Sequence, residues 1–359
     1  MKVKAYGVEL ANEKLKPVNI QRRDLSKNDV EIDILYCGVC HSDIHITRDE
    51  WLFHKSIFPM VPGHEIIGKI TNIGNNVDNF KIGDYVGVGC MVDSCRTCNP
   101  CNQGLEQYCE KGFIATYSSE YPKHNEITQG GYSEKIVVDK DFVLKVPKNL
   151  DLAGAAPLLC AGITTYSPLA HLQVKPNDKV GVIGLGGLGH MGIKIAKAMG
   201  AEVTMITTSE SKAQDGLKLG ADKVLISRNK EDIGKHSSYF DVLLNTIPVE
   251  HDLNPYLQLL SIDGTMSMVG SFNANDPILG ANLIFNRRSI NGSLMGGIKE
   301  TQEMLDFCGK HNITADIETI DIKDINKAFD RMLKNDVKYR FVIDMKSLKQ
   351  STNPSNIDI

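Results

Sequence analysis

The stretch KVGVIGLGGLGHMGIKIAKAM, residues 179–199, decides the architecture of this chain. Residues 179–183 form an apolar run of strand length, and 188–199 carry apolar residues at helical spacing. Between them stands Gly184-x-Gly186-x-x-Gly189, with Gly187 and Leu188 filling the turn. Such a glycine triplet is common by chance. Here it has a strand before it and a helix after it, the setting that a dinucleotide-binding turn requires. The glycines permit a tight turn and let a pyrophosphate come close to the helix N-terminus. A plain glycine turn is the competing reading. Further strand candidates lie at 202–206, 223–226, 241–245, 265–269 and 289–294, with helical stretches between several of them. That alternation predicts an α/β region with a doubly wound parallel sheet and helices on both faces.

The end of the second strand bears on the cofactor. An NAD site usually places Asp or Glu about 20 residues past the glycines, on the ribose hydroxyls. Here the segment is Thr207-Thr208-Ser209-Glu210-Ser211-Lys212. Hydroxyls and a lysine accept a 2′-phosphate that a carboxylate repels. Glu210, one residue past the hydroxyl run, complicates the picture. The segment predicts NADP(H); the alternative is that Lys212 is a solvated helix residue.

Toward the N-terminus the pattern changes. The first 150 residues hold short strand candidates at 30–36, 68–73 and 85–88, broken by Gly, Asn and Asp, which suggests a compact β-rich domain. Residues 153–169 are helix-like but interrupted by Gly154, Pro157, Gly162 and Pro168. Beyond 294 come helices at 300–311 and 325–334, a strand at 339–344 and a polar tail at 351–356 expected to fray. A chain of 359 residues, 42% hydrophobic, fits two domains better than one core. The formal net charge of −4 excludes the basic footprint of a nucleic-acid binder. No apolar run approaches the ~18 residues of a membrane span. The N-terminus Met1-Lys2-Val3-Lys4-Ala5-Tyr6 lacks the apolar core of a signal peptide. A soluble, cytoplasmic protein is expected.

Nine cysteines are present, an odd number that fits poorly with complete internal pairing. Four occur as Cys95-x-x-Cys98-x-x-Cys101-x7-Cys109. Four thiolates close a tetrahedral zinc site, and this spacing lets one loop, about 90–112, supply them all. With no open position, such a zinc is structural. An iron–sulfur cluster is the alternative, and four unrelated core cysteines fit the spacing badly. A second set is dispersed: Cys40-His41-Ser42-Asp43-x-His45, Gly63-His64-Glu65, and Cys160. Cys40, His64 and Cys160 offer two sulfurs and one nitrogen, leaving a fourth position for water or substrate, as catalytic zinc requires. Singly, His64 is more often a loop histidine and Cys160 a small buried apolar group.

Together these residues resemble the zinc-containing medium-chain alcohol dehydrogenases. Gly63-His64-Glu65-x-x-Gly68-x5-Gly74-x-x-Val77 matches that family's zinc signature at every fixed position. The likeness covers nearly the whole chain. It is nearest to the cinnamyl alcohol dehydrogenase group with its broad-range aldehyde reductases, on residues 37–43, 184–192 and 339–344. The resemblance implies a GroES-like β-rich catalytic domain over 1–152 and 294–359, and a Rossmann NADP-binding domain over 153–293. It implies two zincs per chain: Cys40, His64 and Cys160 on the catalytic one, and Cys95, Cys98, Cys101 and Cys109 on the structural one. Glu65 matches a carboxylate that approaches the metal, and Asp43 one that orients the metal-bound histidine. Ser42 matches a hydroxyl that takes the alcohol proton and passes it, by way of the nicotinamide ribose, to His45. Arg340 matches a contact to the cofactor phosphates. Trp51, Met60, Cys90, Ile114 and Met295 match substrate-pocket positions, and each also suits an ordinary core.

The expected activity is interconversion of primary alcohols and aldehydes by direct hydride transfer, with aromatic or aliphatic substrates. An aromatic residue often stands near the Ile114 position in relatives acting on cinnamyl substrates, so a broad preference is expected here. A homodimer is expected from the resemblance. The competing readings are an NAD-dependent polyol or short-chain alcohol dehydrogenase of the same superfamily, a non-catalytic zinc-stabilised binding module, and, remotely, a nucleic-acid-binding zinc module.

Overall fold

The computed structural model describes residues 1–51, 55–270 and 276–350; the polar tail at 351–356 lies outside them. The chain divides into two compact units, Met1–Cys160 with Gly297–Ile359, and Ala161–Gly296.

The first unit is built on a seven-stranded sheet. Its long strand Asp29–Val39 pairs antiparallel with Ile66–Ile73, with Lys135–Asp139, and with Arg340–Asp344 from the far end of the chain. Tyr85–Val88 extends the sheet beyond Ile66–Ile73. Ile317–Asp321 lies parallel to Arg340–Asp344. The strands are longer than the alternation at 30–36 and 68–73 suggested, because the added residues Cys37, Gly38, Val39, Ile66 and Ile67 are buried. Val39 faces Phe341, so the strand delivers Cys40 directly to the helix His41–Thr47.

Residues 152–160 belong to this unit, so the boundary falls at Cys160 and not at 152. The reason is packing. Leu152–Ala155 and the 3-10 turn Ala156–Leu159 lie on the sheet strands, with Ala155, Ala156 and Leu158 fully buried. On the return side the boundary is Gly297 in place of 294. The helix Ala161–His171 contains both Gly162 and Pro168. The real break is at Cys160, whose backbone (φ −131°, ψ −69°) is not helical. Burial of Ile163 and Leu169 outweighs the poor helix propensity of those two residues.

The second unit is a six-stranded, all-parallel sheet. Its order is Lys223–Ile226, Glu202–Thr207, Lys179–Ile183, Phe240–Asn245, Leu260–Met268, Ser289–Gly292. In chain order that is 3-2-1-4-5-6, the Rossmann arrangement, which places the glycine turn after the central first strand. Strand Leu260–Met268 starts five residues before the 265–269 candidate. Gly184 has φ +93°, which only glycine adopts freely. A Cβ on Gly189 would fall 2.1 Å from the Gly184 carbonyl oxygen. Helix and turn therefore meet backbone to backbone. Among the described residues, no single helix is long and apolar enough to cross a membrane.

Candidate metal centres and cofactor turn

The dispersed residues of the first unit converge. Ligand atoms of Cys40, His64, Glu65 and Cys160 all lie within 4.8 Å of one another. Three elements bring them there: the end of the long strand, the turn before Ile66–Ile73, and the residue after Ala156–Leu159. The Cys40 and Cys160 sulfurs are 3.9 Å apart. Tetrahedral zinc with Zn–S bonds of about 2.3 Å sets sulfurs roughly 3.8 Å apart, so the pair fits one such ion. The two sulfurs are within hydrogen-bond reach of each other. The hydrogen bond with Cys160 holds Cys40 well below the usual thiol range despite burial, and the same contact pushes Cys160 up.

Asp43 organises the site. Its carboxylate is fully buried and accepts five hydrogen bonds. Oδ1 accepts from the Gly63 amide (3.1 Å), the Tyr117 hydroxyl (2.9 Å) and His64 Nδ1 (3.1 Å). Oδ2 accepts from the Cys40 amide (2.9 Å) and the Tyr132 hydroxyl (3.2 Å). With Nδ1 donating to Asp43, His64 has Nε2 left as the metal-facing atom. Burial opposes protonation of His64, but the Asp43 charge and hydrogen bond win and raise it well above its ordinary value. Burial first, then the Asp43 charge, keeps Tyr117 and Tyr132 protonated as donors.

Glu65 is fully buried and ion-paired with Arg340. Burial pushes its carboxyl up to about 7, against the pull of the Arg340 charge. Glu65 Oε2 and Arg340 Nε have no hydrogen-bond partner among the described residues. The glutamate fits only because residue 38 is glycine; a Cβ there would sit 1.9 Å from Oε2. Arg340, expected on cofactor phosphates, is 5% exposed and engaged with Glu65.

Ser42 Oγ lies 3.6 Å from the Cys40 sulfur. His45 sits one helical turn on, its Nδ1 2.7 Å from Glu50 Oε2 and its ring stacked 6.5 Å from Trp51. Of the other pocket candidates, Cys90 is half-buried with its thiol on the Leu159 carbonyl, beside Cys160. Ile114 is half-buried in a short ribbon paired with Asp93. Met60 has no exposed surface; it belongs to the core, its backbone bonded both ways to Val8. Met295 is half-buried in the second unit.

The four-cysteine lobe closes on itself. The sulfurs of Cys95, Cys98, Cys101 and Cys109 lie within 4.8 Å of one another, with Cys95–Cys101 at 3.9 Å and Cys98–Cys109 at 4.0 Å. That space takes one tetrahedral ion and leaves no room for a polynuclear cluster. The amides of Thr97 and Cys98 stabilise the Cys95 thiolate, lowering it to about 6, while burial pushes Cys101 up to about 12.

In the second unit the helix Gly187–Ala198 begins without a side-chain cap. A Cβ on Gly186 would meet nothing within 4 Å, so packing does not require glycine there. Open space beside bare helix N–H groups is what a pyrophosphate fills. Thr207 ends its strand; Thr208 is exposed, and Ser209 hydrogen-bonds Ser211 at 2.7 Å. Lys212 Nζ donates to the Leu185 carbonyl at 3.3 Å, which brings a cation to the glycine turn.

Sequence reading missed Tyr117, Tyr132 and Glu50. None belongs to a spaced motif, and the two tyrosines lie 74 and 89 residues from Asp43.

Two family models match the chain: the alcohol dehydrogenase GroES-like domain over residues 26–148 and the zinc-binding dehydrogenase over 187–310. An aldehyde reductase of Escherichia coli is 52% identical over 351 residues, 97% of this chain and 99% of that protein. An NADP-dependent alcohol dehydrogenase C of Mycobacterium bovis is 49% identical over 346 residues, 96% of this chain and 99% of that protein. A cinnamyl alcohol dehydrogenase structure from Sorghum bicolor superposes with a TM-score of 0.92 at 39% identity, covering 99% of this chain and 100% of that one.

Proposed function

Since the chain belongs to the zinc-containing medium-chain alcohol dehydrogenases, in their cinnamyl alcohol dehydrogenase and aldehyde reductase group, we propose that it works mainly as a broad-range aldehyde reductase, with Cys40, His64 and Cys160 as its catalytic zinc ligands. It is an NADP-dependent alcohol and aldehyde oxidoreductase. The direction rests on the usual reduced state of cellular NADP pools. The observation that carries the ligand assignment is the convergence of one nitrogen and two sulfurs, drawn from three separate segments, onto one ion-sized space.

When bound, zinc supplies a Lewis acid for the substrate oxygen and NADP(H) carries the hydride. The protein's own groups do the rest. Asp43 fixes the ring of His64. Ser42 holds the exchanging proton at Oγ, beside Cys40. His45 takes the proton outward, and Glu50 orients its ring through Nδ1. Glu65, held by Arg340, places its carboxyl beside the ligand atoms. Gly184, Gly186, Gly187, Leu188 and Gly189 receive the pyrophosphate, and Thr207, Thr208, Ser209 and Lys212 the 2′-phosphate.

A cytoplasmic enzyme fits nine free cysteines in the described residues, since clustered thiols persist in a reducing compartment. Homodimer formation is supported by the second unit. Among the described residues its edge strand Ser289–Gly292 pairs on one side only, and Ile262, Ile284 and Phe285 are 67%, 75% and 83% exposed.

The test is an aldehyde panel with NADPH and NADH. Aldehyde-dependent loss of NADPH absorbance, little loss with NADH, and about two zincs per chain are expected. Turnover that survives complete removal of zinc would overturn the assignment.

A further inference from the structure

The four-cysteine lobe has little structure of its own. Between Cys95 and Cys109 it holds one turn of helix, Asn99–Asn102, and one 3-10 turn, Glu106–Tyr108. Its backbone–backbone hydrogen bonds are all local, none reaching further than the Leu105 N–H to the Pro100 carbonyl, so the metal is what joins its two turns. It is nevertheless tied to its surroundings at both ends of its ligand set.

At the first end stands Arg96, between Cys95 and Cys98, with φ +60°. Its guanidinium reaches Asp93 at 2.7 Å, Asp139 at 2.9 Å and Asp141 at 2.9 Å. It also lies 5.0 Å from the Phe142 ring centroid. Asp93 and Asp139 are buried. Three carboxylates, two in strands and Asp141 in the 3-10 turn that follows, thus fasten the lobe to the N-terminal half of this unit.

At the other end Glu106 Oε2 accepts the backbone N–H of Ile298 at 3.0 Å. Ile298 is the first residue of the 14-residue helix Ile298–His311, and its N-cap, Gly297, has no side chain with which to cap. Glu106 therefore caps that helix from 192 residues away. The backbones also touch. A Cβ at residue 297 would fall 1.8 Å from the Gly104 carbonyl oxygen and 2.5 Å from Glu106 Oε2. Gly297 is the residue at which the chain re-enters this unit.

We propose that the zinc-closed lobe is a clasp that fastens the returning segment, at Gly297 and Ile298, to the N-terminal half of the first unit. Arg96 anchors it to the strands, and Glu106 is the positioning residue that grips the helix. Zinc retention in the lobe and order in the first turn of Ile298–His311 are then linked, and each stabilises the other.

The experiment uses the zinc-loaded enzyme and its Glu106→Ala and Glu106→Gln variants. Two quantities are read: release of the four-cysteine zinc to a chromogenic chelator, and amide hydrogen exchange at residues 298–301. The expected result for Glu106→Ala is acceleration of both, roughly five- to tenfold, as for loss of a charged cap. Release of the catalytic zinc should not change. Glu106→Gln keeps an acceptor and should recover most of the effect. If Glu106→Ala leaves either quantity at its original value, the clasp is overturned. Should that variant fail to fold, the unaltered protein decides. Chelating its lobe zinc must raise exchange at 298–301 before it does so in the helix Ile325–Leu333, and simultaneous or absent change refutes the link.

Discussion

At the scale of single residues, Asp43 matters more than its place in the sequence suggests. A lone buried carboxylate is costly unless its oxygens are satisfied, and here five donors satisfy it. The same contacts tie the Cys40 amide and the His64 ring to one charge. Asp43→Asn keeps the shape but places an amide N–H₂ against some of those donors. We expect the catalytic zinc to bind ten- to a hundredfold more weakly. Dialysis against a mild chelator should then leave about one zinc per chain, held by the four cysteines, and abolish turnover. Retention of both zincs would show that Asp43 does not orient His64. The spacing Cys40-x-x-Asp43 and the pair Gly63-His64 were legible because each is local. The partners Tyr117 and Tyr132, and Arg340 on Glu65 from 275 residues away, were not. A tyrosine that satisfies a buried carboxylate looks, in sequence, like any core aromatic.

Among elements, the glycine turn separates what the fold needs from what the ligand needs. Gly189 is enforced by the protein itself, since its Cβ would strike the Gly184 carbonyl at 2.1 Å. Gly186 is not, for a Cβ there meets nothing. Gly189→Ala should therefore lower the melting temperature clearly, by displacing the helix Gly187–Ala198. Gly186→Ala should melt as the parent does yet bind NADPH at least about tenfold more weakly, because the methyl group occupies pyrophosphate space. Calorimetry with and without NADPH distinguishes the two; equal cofactor affinity in Gly186→Ala would remove the phosphate from this turn. The turn and its flanks were readable because strand, glycines and helix occupy 21 consecutive residues. The helix 161–171 was harder. Gly162 and Pro168 disfavour it locally, and only burial on the facing helix Gly187–Ala198 makes it continuous.

For the molecule as a whole, two predictions concern association and acid. Phe285→Asp on the exposed edge of the second unit should convert a dimer to a monomer in sedimentation analysis, with the zinc count unchanged. An unchanged sedimentation coefficient would place the subunit contact elsewhere. In acid, the ion pair of half-buried Arg23 with buried Asp29 gives a specific expectation. Burial alone would raise the Asp29 carboxyl, but the hydrogen bond and charge of Arg23 hold it below its ordinary value. A carboxyl lowered on folding adds stability above its unfolded pKa of about 4, and that stability is lost as the pH falls through the folded value. The stability gap between the parent and Arg23→Ala should thus narrow as pH falls from about 5 to 2. A constant gap in urea titrations would exclude the linkage.

The interruption of the first unit by residues 161–296 has a consequence for synthesis. Folding on the ribosome proceeds from the N-terminus. The strand Asp29–Val39 emerges early, but its neighbour Arg340–Asp344 is translated some 300 residues later. Until then the stretch Tyr36–Val39 lacks its partner on one side, and Glu65 waits without its counter-ion. The parallel sheet, contained wholly within 179–292, meets no such delay. The nascent chain thus completes its middle before its beginning, and the exposed sheet edge is where a chaperone has most to protect.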